Sequence, residues 1–285
     1  MIKIRIRLLK YIDISLISKK TIKELIQYSW PMVPNSMSMT VMRVSDRFVV
    51  TLVMGLSANA VYAIANKIPS LLTLAQTTFN MAWQENASIV AKDEDANEYY
   101  SSMFRTMFDL MAGFLGLLIS ATPLLFKLFI KGDYSEAYFQ MPILLLAMFF
   151  YSQCAYLGGI YVAFKDTKSV GITTIAAAAC NLVIDIALIR FIGLYAASGS
   201  TLISYLLLFV FRLLDVQKLV KVKYNLRHSL FVIGLLIIEL LLCYFQITVL
   251  NVLNVILGIT IFFALNKPFI ETAGRRVLSL IGKHY

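Results

Sequence analysis

Long apolar runs constrain this sequence more than any other feature. A helix that crosses a lipid bilayer needs roughly 20 mostly apolar residues, and such segments follow one another along most of the 285-residue chain. We place eight of them, at residues 27–54, 60–90, 103–130, 140–164, 169–191, 195–217, 229–247 and 249–265. The last two are close enough to form one re-entrant hairpin instead. The sequence therefore predicts an all-α, polytopic membrane protein.

The composition excludes a typical cytosolic enzyme. Hydrophobic residues make up 59% of the chain and charged residues only 15%, whereas soluble domains carry about 25% charged residues. The net charge of +10 would suggest nucleic acid in a soluble protein. Here the basic residues lie between the apolar runs, so they indicate a membrane surface and no nucleic acid.

The placement of the basic residues predicts the orientation. Twenty of the 26 Lys and Arg residues lie in the two terminal segments and three connections, among them the 212–228 connection, which begins with Arg212. Only Lys127, Lys131 and Arg190 lie on the opposite side. Because cytoplasmic segments carry the excess of Lys and Arg, both termini are expected to be cytoplasmic. That arrangement requires an even number of spans.

This organisation divides the chain into five segments. We predict a cytoplasmic or interfacial linker (1–25), a six-helix lobe (26–217), a cytoplasmic loop (218–228), two additional transmembrane helices (229–266) and a cytoplasmic tail (267–285). The two histidines and three cysteines are too few and too scattered for a metal site. The sequence therefore predicts no metal, no cofactor and no catalytic centre.

Three basic residues lie inside predicted spans, at Arg43, Arg47 and Lys67. Each would cost about 2.5–3.5 kcal/mol at the centre of a helix that faces lipid. Arg43 and Arg47 share one face of the first span with Asp46 beside them, and Lys67 lies at a similar depth to Arg47 on the second. A cluster of this kind suits phosphate or pyrophosphate. The alternative is an architectural ion pair between Asp46 and one arginine.

A polar stripe follows the second span. Its members are separated by alternating steps of four and three residues, the period of one helix face: Asn66, Ser70, Thr73, Thr77, Asn80 and Gln84. Such a stripe lines either a hydrophilic cavity or a tight seam between helices. The amide side chains and the neighbouring Lys67 favour the cavity.

Two further polar residues, Asn181 and Asp185, lie four apart on the fifth span. They are expected either to hydrogen-bond neighbouring helices or to contribute to a cation or proton path. Glu239 lies in the middle of the seventh span, and the sequence suggests no partner for it.

Several short motifs, taken in order, resemble one family. They are YSWPMVPN at 28–35, SDRF at 45–48, YAIANKIP at 62–69, AWQ at 82–84, PILLL at 142–146 and TLISY at 201–205. The set is similar to the second lobe of Wzx-type polysaccharide flippases, in the superfamily that also contains the MATE drug exporters. Two positions depart from the family pattern, namely Asp185 in place of an asparagine and Arg190 in place of a proline.

This resemblance implies a MATE-like helical bundle in the bacterial cytoplasmic membrane. Its activity would be the transfer of an undecaprenyl-pyrophosphate-linked oligosaccharide to the outer leaflet, by rocking of two lobes about a central cavity. Arg43, Asp46, Arg47 and Lys67 would then meet the pyrophosphate or sugar, and the stripe would line the sugar path. The match covers one lobe and two extra helices, so the implied partner is a missing N-terminal six-helix lobe or a second copy of the chain.

Three alternatives remain open from the sequence. A multidrug exporter of the same superfamily would favour acidic cation sites over this basic cluster. A non-functional remnant of a flippase gene would explain the missing lobe. A membrane-embedded polysaccharide polymerase or glycosyltransferase would need acid–base or nucleophilic groups and a sizeable loop, neither of which the sequence offers. We therefore expect a transporter and not an enzyme.

Overall fold

The computed structural model describes residues 18–30 and 32–281, and the regular elements within them are all helical. We number the α-helices in chain order: α1 (Lys19–Ser29), α2 (Met32–Met54), α3 (Leu56–Ala65), α4 (Pro69–Val90), α5 (Ala96–Phe129), α6 (Ser135–Ala163), α7 (Thr167–Ile192), α8 (Leu194–Asp215), α9 (Leu226–Tyr244) and α10 (Thr248–Ile281). A 3-10 turn, Val216–Lys218, follows α8. The predicted all-α polytopic bundle is confirmed.

The helices differ from the predicted spans at the N-terminal end. Within the described residues, α5 to α10 are each long and apolar enough to cross a membrane. The first predicted span forms α2, which has 23 residues but is too rich in polar side chains to meet the same criterion. The second span is not one helix, because it divides into α3 and α4. The last two spans are separate helices of 19 and 34 residues.

The division between α3 and α4 has a local cause. Pro69 is the first residue of α4, where its missing N–H and fixed φ are tolerated. The same ring within a longer helix would remove a hydrogen bond and crowd the preceding turn. Asn66 ends α3, and its side-chain amide donates to the carbonyl of Tyr62 at 2.9 Å. The chain therefore turns at 66–68, between the first two members of the predicted polar stripe.

Packing places α6 at the centre of the bundle. It lies against α4, α5 and α8, while α7 packs between α2 and α8. The last two helices pack chiefly against α5, on the outside of this group. The predicted tail is helical as far as Ile281, and residues 1–17 of the predicted linker lie outside the described part of the chain.

An aromatic cluster fixes α4 against α5 and α6. The indole of Trp83 stacks on Tyr156 with ring centroids 4.3 Å apart, and its Nε1 donates to the Tyr156 carbonyl at 3.0 Å. The hydroxyl of Tyr156 in turn donates to the carbonyl of Tyr100 at 2.6 Å. Buried Tyr and Trp side chains are stabilising when their polar atoms find partners. With Trp83 held inside, a different face of α4 carries the polar stripe.

Candidate functional site

A cavity of about 510 Å³ opens between α2, the α3–α4 turn and α8. Its wall includes six of the residues singled out in the sequence: Asp46, Arg47, Asn66, Ser70, Thr73 and Thr77. Ser70 and Thr77 are exposed, whereas Thr73 and Asn66 are half-buried. The cavity therefore opens at the molecular surface along α4.

The polar stripe faces two cavities in succession. Its first four members line the large cavity. The last two, Asn80 and Gln84, line a smaller one of about 130 Å³ between α2, α4, α6 and α8. The hydroxyls of Ser70 and Thr77 donate to carbonyls of their own turns, at 2.5 and 2.9 Å. A cavity wall, and not a helix–helix seam, is the geometry that these residues adopt.

The three predicted cationic residues are not equivalent in the structure. Arg47 lines the large cavity, is exposed, and forms no ion pair with any side chain that the structure describes. Lys67 lies in the turn between α3 and α4 and is exposed, but it is not among the residues that line the cavity. Arg43 lies on α2, and its side chain is outside the described part of the structure.

Asp46 is bound by hydroxyl groups and not by Arg47. The carboxylate is only 4% exposed, and its Oδ2 accepts hydrogen bonds from Thr201 Oγ1 at 2.6 Å and from Tyr62 Oη at 3.1 Å. Its Oδ1 has no hydrogen-bond partner among the side chains that the structure describes. The architectural pair of Asp46 with Arg47 is therefore not formed, and Asp46 joins α2, α3 and α8 at the wall of the cavity.

Asn181 and Asp185 lie behind Asp46, on the face of α7 that packs against α8. Both are completely buried. The Asn181 amide donates to Ser200 Oγ at 3.1 Å and to Thr201 Oγ1 at 3.4 Å. Neither carboxylate oxygen of Asp185 has a hydrogen-bond partner. We call Asp46, Asn181, Asp185 and Thr201 the acidic cluster, since it holds two buried carboxyl groups and no cationic side chain.

The position of Arg212 differs from the prediction. It was expected in the connection after α8, but it lies within the helix and is only 2% exposed. Its guanidinium donates to the carbonyls of Cys154 and Val170 and to the hydroxyls of Thr173 and Thr174, over 2.8–3.3 Å. Because an isolated buried charge is unfavourable, these acceptors hold the arginine where α6, α7 and α8 meet.

The position of Arg212 gives the smaller cavity a positive wall. Asn80, Gln84 and Arg212 line it together. The two cavities thus each carry part of the stripe and one arginine, Arg47 in the larger and Arg212 in the smaller. Only the run of apolar residues that continues past Phe211 could have signalled from the sequence that Arg212 is enclosed.

Comparison with known proteins gives a family match for part of the chain. Residues 6–106 match the family described as polysaccharide biosynthesis protein. This segment extends through α4 into the first turns of α5, so it contains Arg47 and the whole polar stripe. No curated protein matches the chain.

Two solved structures are similar to the fold. The first is the outward-facing conformation of a multidrug resistance MATE family transporter of the MOP superfamily, with a TM-score of 0.54 and 16% sequence identity. The match covers 85% of this chain and 64% of that transporter. The second, a MOP superfamily transporter from Pyrococcus furiosus, has a TM-score of 0.48 and 15% identity, with the same coverage of both chains, and supports no conclusion.

These findings give a fold for most of the chain and a family description for residues 6–106. At 16% identity the first structure shows the fold alone, and this chain spans less than two thirds of its length. The family match supplies the link to polysaccharide biosynthesis. The chain is therefore a multi-pass helical membrane protein with the fold of a MATE family transporter of the MOP superfamily, and this fold together with the match of residues 6–106 supports its resemblance to the Wzx-type polysaccharide flippases.

Proposed function

We propose that this chain is one lobe of a flippase that moves an undecaprenyl-pyrophosphate-linked oligosaccharide across the bacterial cytoplasmic membrane by alternating access. The observation that carries the proposal is Arg47. It lines the wall of a 510 Å³ cavity beside polar side chains, and no described carboxylate neutralises it. An unpaired guanidinium at a cavity wall is suited to a phosphate-type anion, which it binds in a bidentate manner.

The stripe supports the sugar part of this substrate. Thr73 and Thr77 present hydroxyl groups to the large cavity, and Asn80 and Gln84 present amides to the smaller one. Hydroxyl and amide groups both donate and accept hydrogen bonds, as the hydroxyl-rich surface of an oligosaccharide requires. The family match to polysaccharide biosynthesis favours this substrate over the drugs of a MATE exporter.

The acidic cluster supports coupling of transport to a cation, either a proton or Na⁺. Asp46 and Asp185 are buried carboxyl groups with three partnerless oxygen atoms between them. A bound cation would neutralise this cluster, and those oxygen atoms would coordinate it. Asp46 also lines the large cavity. The charge of the cluster would therefore interact electrostatically with a substrate next to Arg47.

A second lobe is the partner that this function requires. Leu74, Ser70 and Thr77 are exposed on the open side of the cavity, and a substrate there would lie between this bundle and lipid. A complementary six-helix lobe, or a second copy of this chain, would close the cavity and allow two bundles to rock about it. Surrounding lipid would complete the set of partners.

The test is polysaccharide export in cells that carry the complete transporter. We expect Arg47→Ala, and likewise Lys67→Ala in the adjoining turn, to abolish surface polysaccharide at an unchanged protein level. Arg190→Ala is the matched control, since Arg190 is an exposed arginine at the end of α7 that lines neither cavity. Normal export by the Arg47 and Lys67 variants would refute the pyrophosphate site.

A further inference from the structure

A second group of buried oxygen atoms lies away from both cavities, in the seam where α5, α9 and α10 meet. Its centre is Glu239 of α9, whose side chain is 0% exposed. Neither of its carboxylate oxygens has a hydrogen-bond partner. A buried carboxylate is strongly unfavourable unless a positive group or a proton neutralises it. The seam therefore needs a positive ligand.

Two glycines let the neighbouring helices approach this carboxylate closely. A β-carbon on Gly116 of α5 would lie 2.8 Å from Glu239 Oε2, and one on Gly258 of α10 would lie 3.0 Å from Oε1. The first distance is too short for a carbon atom against an oxygen, and the second is tight. The absence of these two β-carbons therefore lets the three helices close around Glu239.

Other oxygen atoms converge on the same place. The position of a β-carbon on Gly258 lies 2.5 Å from Ser120 Oγ and 2.9 Å from the carbonyl oxygen of Gly116. Asn254 of α10 is fully buried and donates its Nδ2 to the backbone carbonyl of Glu239 at 3.0 Å, while its Oδ1 has no partner. Carboxylate, carbonyl and hydroxyl oxygens are the hard ligands that small cations prefer.

Among the residues that the structure describes, Glu239 forms no ion pair with a positive side chain. Residues 110–126 of α5 and 248–266 of α10 carry no charge, and the remaining charged groups of α9, Arg227 and His228, lie in its first turn. The nearest acid on α5 is Asp109, which His228 Nε2 approaches to 2.7 Å. On the other side of Glu239, the thiol of Cys243 is engaged by Tyr138 Oη of α6 at 3.2 Å.

We propose that Glu239, Asn254, Ser120 and the carbonyl of Gly116 form a binding site for a monovalent cation, a proton or Na⁺. The site joins the two C-terminal helices to α5. It shares no residue with the acidic cluster or with the polar stripe. Binding there neutralises the seam and holds α9 and α10 against the rest of the bundle.

The test is labelling of the full chain, in native membranes, with the apolar reagent dicyclohexylcarbodiimide. This reagent adds to protonated carboxyl groups that are shielded from water, and peptide mass spectrometry reads the adduct at each position separately. We expect an adduct at Glu239, at a rate at least about fivefold higher at pH 6 than at pH 9, because burial and charge set the protonation of the group. Glu85, which is exposed on α4, serves as the aqueous control within the same digest.

Exchange of K⁺ for Na⁺ at constant pH distinguishes the two cations. Slower labelling in Na⁺ identifies a sodium site, and a rate that depends on pH alone identifies a proton site. No adduct at Glu239, or a rate that changes with neither pH nor Na⁺, overturns the proposal. The measurement on the unmodified chain decides the question even if Glu239→Gln, the variant that should lack the adduct, fails to fold.

Gly258→Ala offers a second readout in the same assay. Its β-carbon would lie 2.5–3.0 Å from three oxygen atoms of the site and would force them apart. The dependence of the labelling rate on pH or Na⁺ should therefore be lost. Gly234→Ala is the control, since a β-carbon at Gly234 of α9 has no atom within 4 Å. The result is independent of Arg47, so failure of the export test leaves it interpretable.

Discussion

Two buried charges in this protein have opposite surroundings. Arg212 is surrounded by acceptors, with two carbonyls and two hydroxyls around its guanidinium. Asp185 is equally buried but has no donor at either carboxylate oxygen. A charge with all its partners in place serves the structure, whereas one without partners is suited to a ligand that comes and goes. This contrast separates a residue that fastens helices from one that is available for ion coupling.

We expect Asp185→Asn to uncouple the transporter. The substitution keeps the size of the side chain but removes one of the two carboxylates that would hold a cation, so export should fall to roughly a tenth or less. Surface polysaccharide in cells with the complete transporter is the measurement. Glu85→Gln, which removes an exposed carboxylate far from the cluster, should leave export unchanged. Equal export by the two variants would show that the acidic cluster is only structural.

Thr201→Val tests the bond that holds Asp46. The valine has the same shape but cannot donate to Asp46 Oδ2, now bound at 2.6 Å. Loss of a hydrogen bond to a charged group should lower the free energy of unfolding by about 1.5–3 kcal/mol. Unfolding in mixed detergent micelles measures it. Thr260→Val on the exposed side of α10, where the hydroxyl bonds only its own helix, should change stability by less than about 0.5 kcal/mol.

At the scale of the elements, the helices and their polar faces could be predicted because their signals are local. The spacing from Ser70 to Gln84 defines one face of α4, and that face lines cavities in the structure. The hydrogen-bond partners of Asp46 on α2 could not be predicted. Tyr62 and Thr201 reach Asp46 from two other helices, and no periodicity in the sequence encodes such contacts. The periodicity places Asn66 on the same helix as Ser70, whereas Pro69 begins a new helix between them.

The close approach of α4 to α6 gives a prediction for a single glycine. A β-carbon on Gly159 would meet the Nε1 atom of Trp83, which donates to the carbonyl of Tyr156. Gly159→Ala should therefore displace the indole and reduce stability by about 1–3 kcal/mol. Thermal unfolding of the purified chain measures the change.

Gly199→Ala is the matched control for that substitution. Gly199 is also a helix-interior glycine, on α8, but a β-carbon there has no atom within 4 Å. Alanine is favoured over glycine in helices, so this variant should be neutral or more stable by up to about 1 kcal/mol. If Gly159→Ala behaved in the same way, the aromatic cluster would not fix α4.

At the scale of the whole molecule, the large cavity has walls on one side only. Its exposed edge is formed by residues of α2 and α4. The resemblance in sequence already implied an incomplete cavity, and the structure adds which side chains stand at its open edge. Whatever closes the cavity must contact α4 along Ser70, Leu74 and Thr77.

Cysteine cross-linking tests this arrangement. In a Cys180→Ala background, Thr77→Cys should give a cross-linked product with a second copy or a complementary lobe, because Thr77 is exposed at the edge of the cavity. Val183→Cys is the control, since Val183 is 66% exposed on α7 and lines neither cavity. Gel electrophoresis of treated membranes reads the product. Equal cross-linking from both positions would indicate random collisions.

The bond between Thr201 and Asp46 also affects how the protein is made. The two residues are 155 positions apart, and a ribosome that adds about 5–20 residues per second needs roughly 8–30 s to pass from one to the other. During that interval α2 is without the helix that supplies the hydroxyl group bound to Asp46. During biogenesis, the N-terminal helices of this bundle therefore remain incompletely packed until α8 is inserted. Slower translation would lengthen the time in which proteases can remove the unfinished chain.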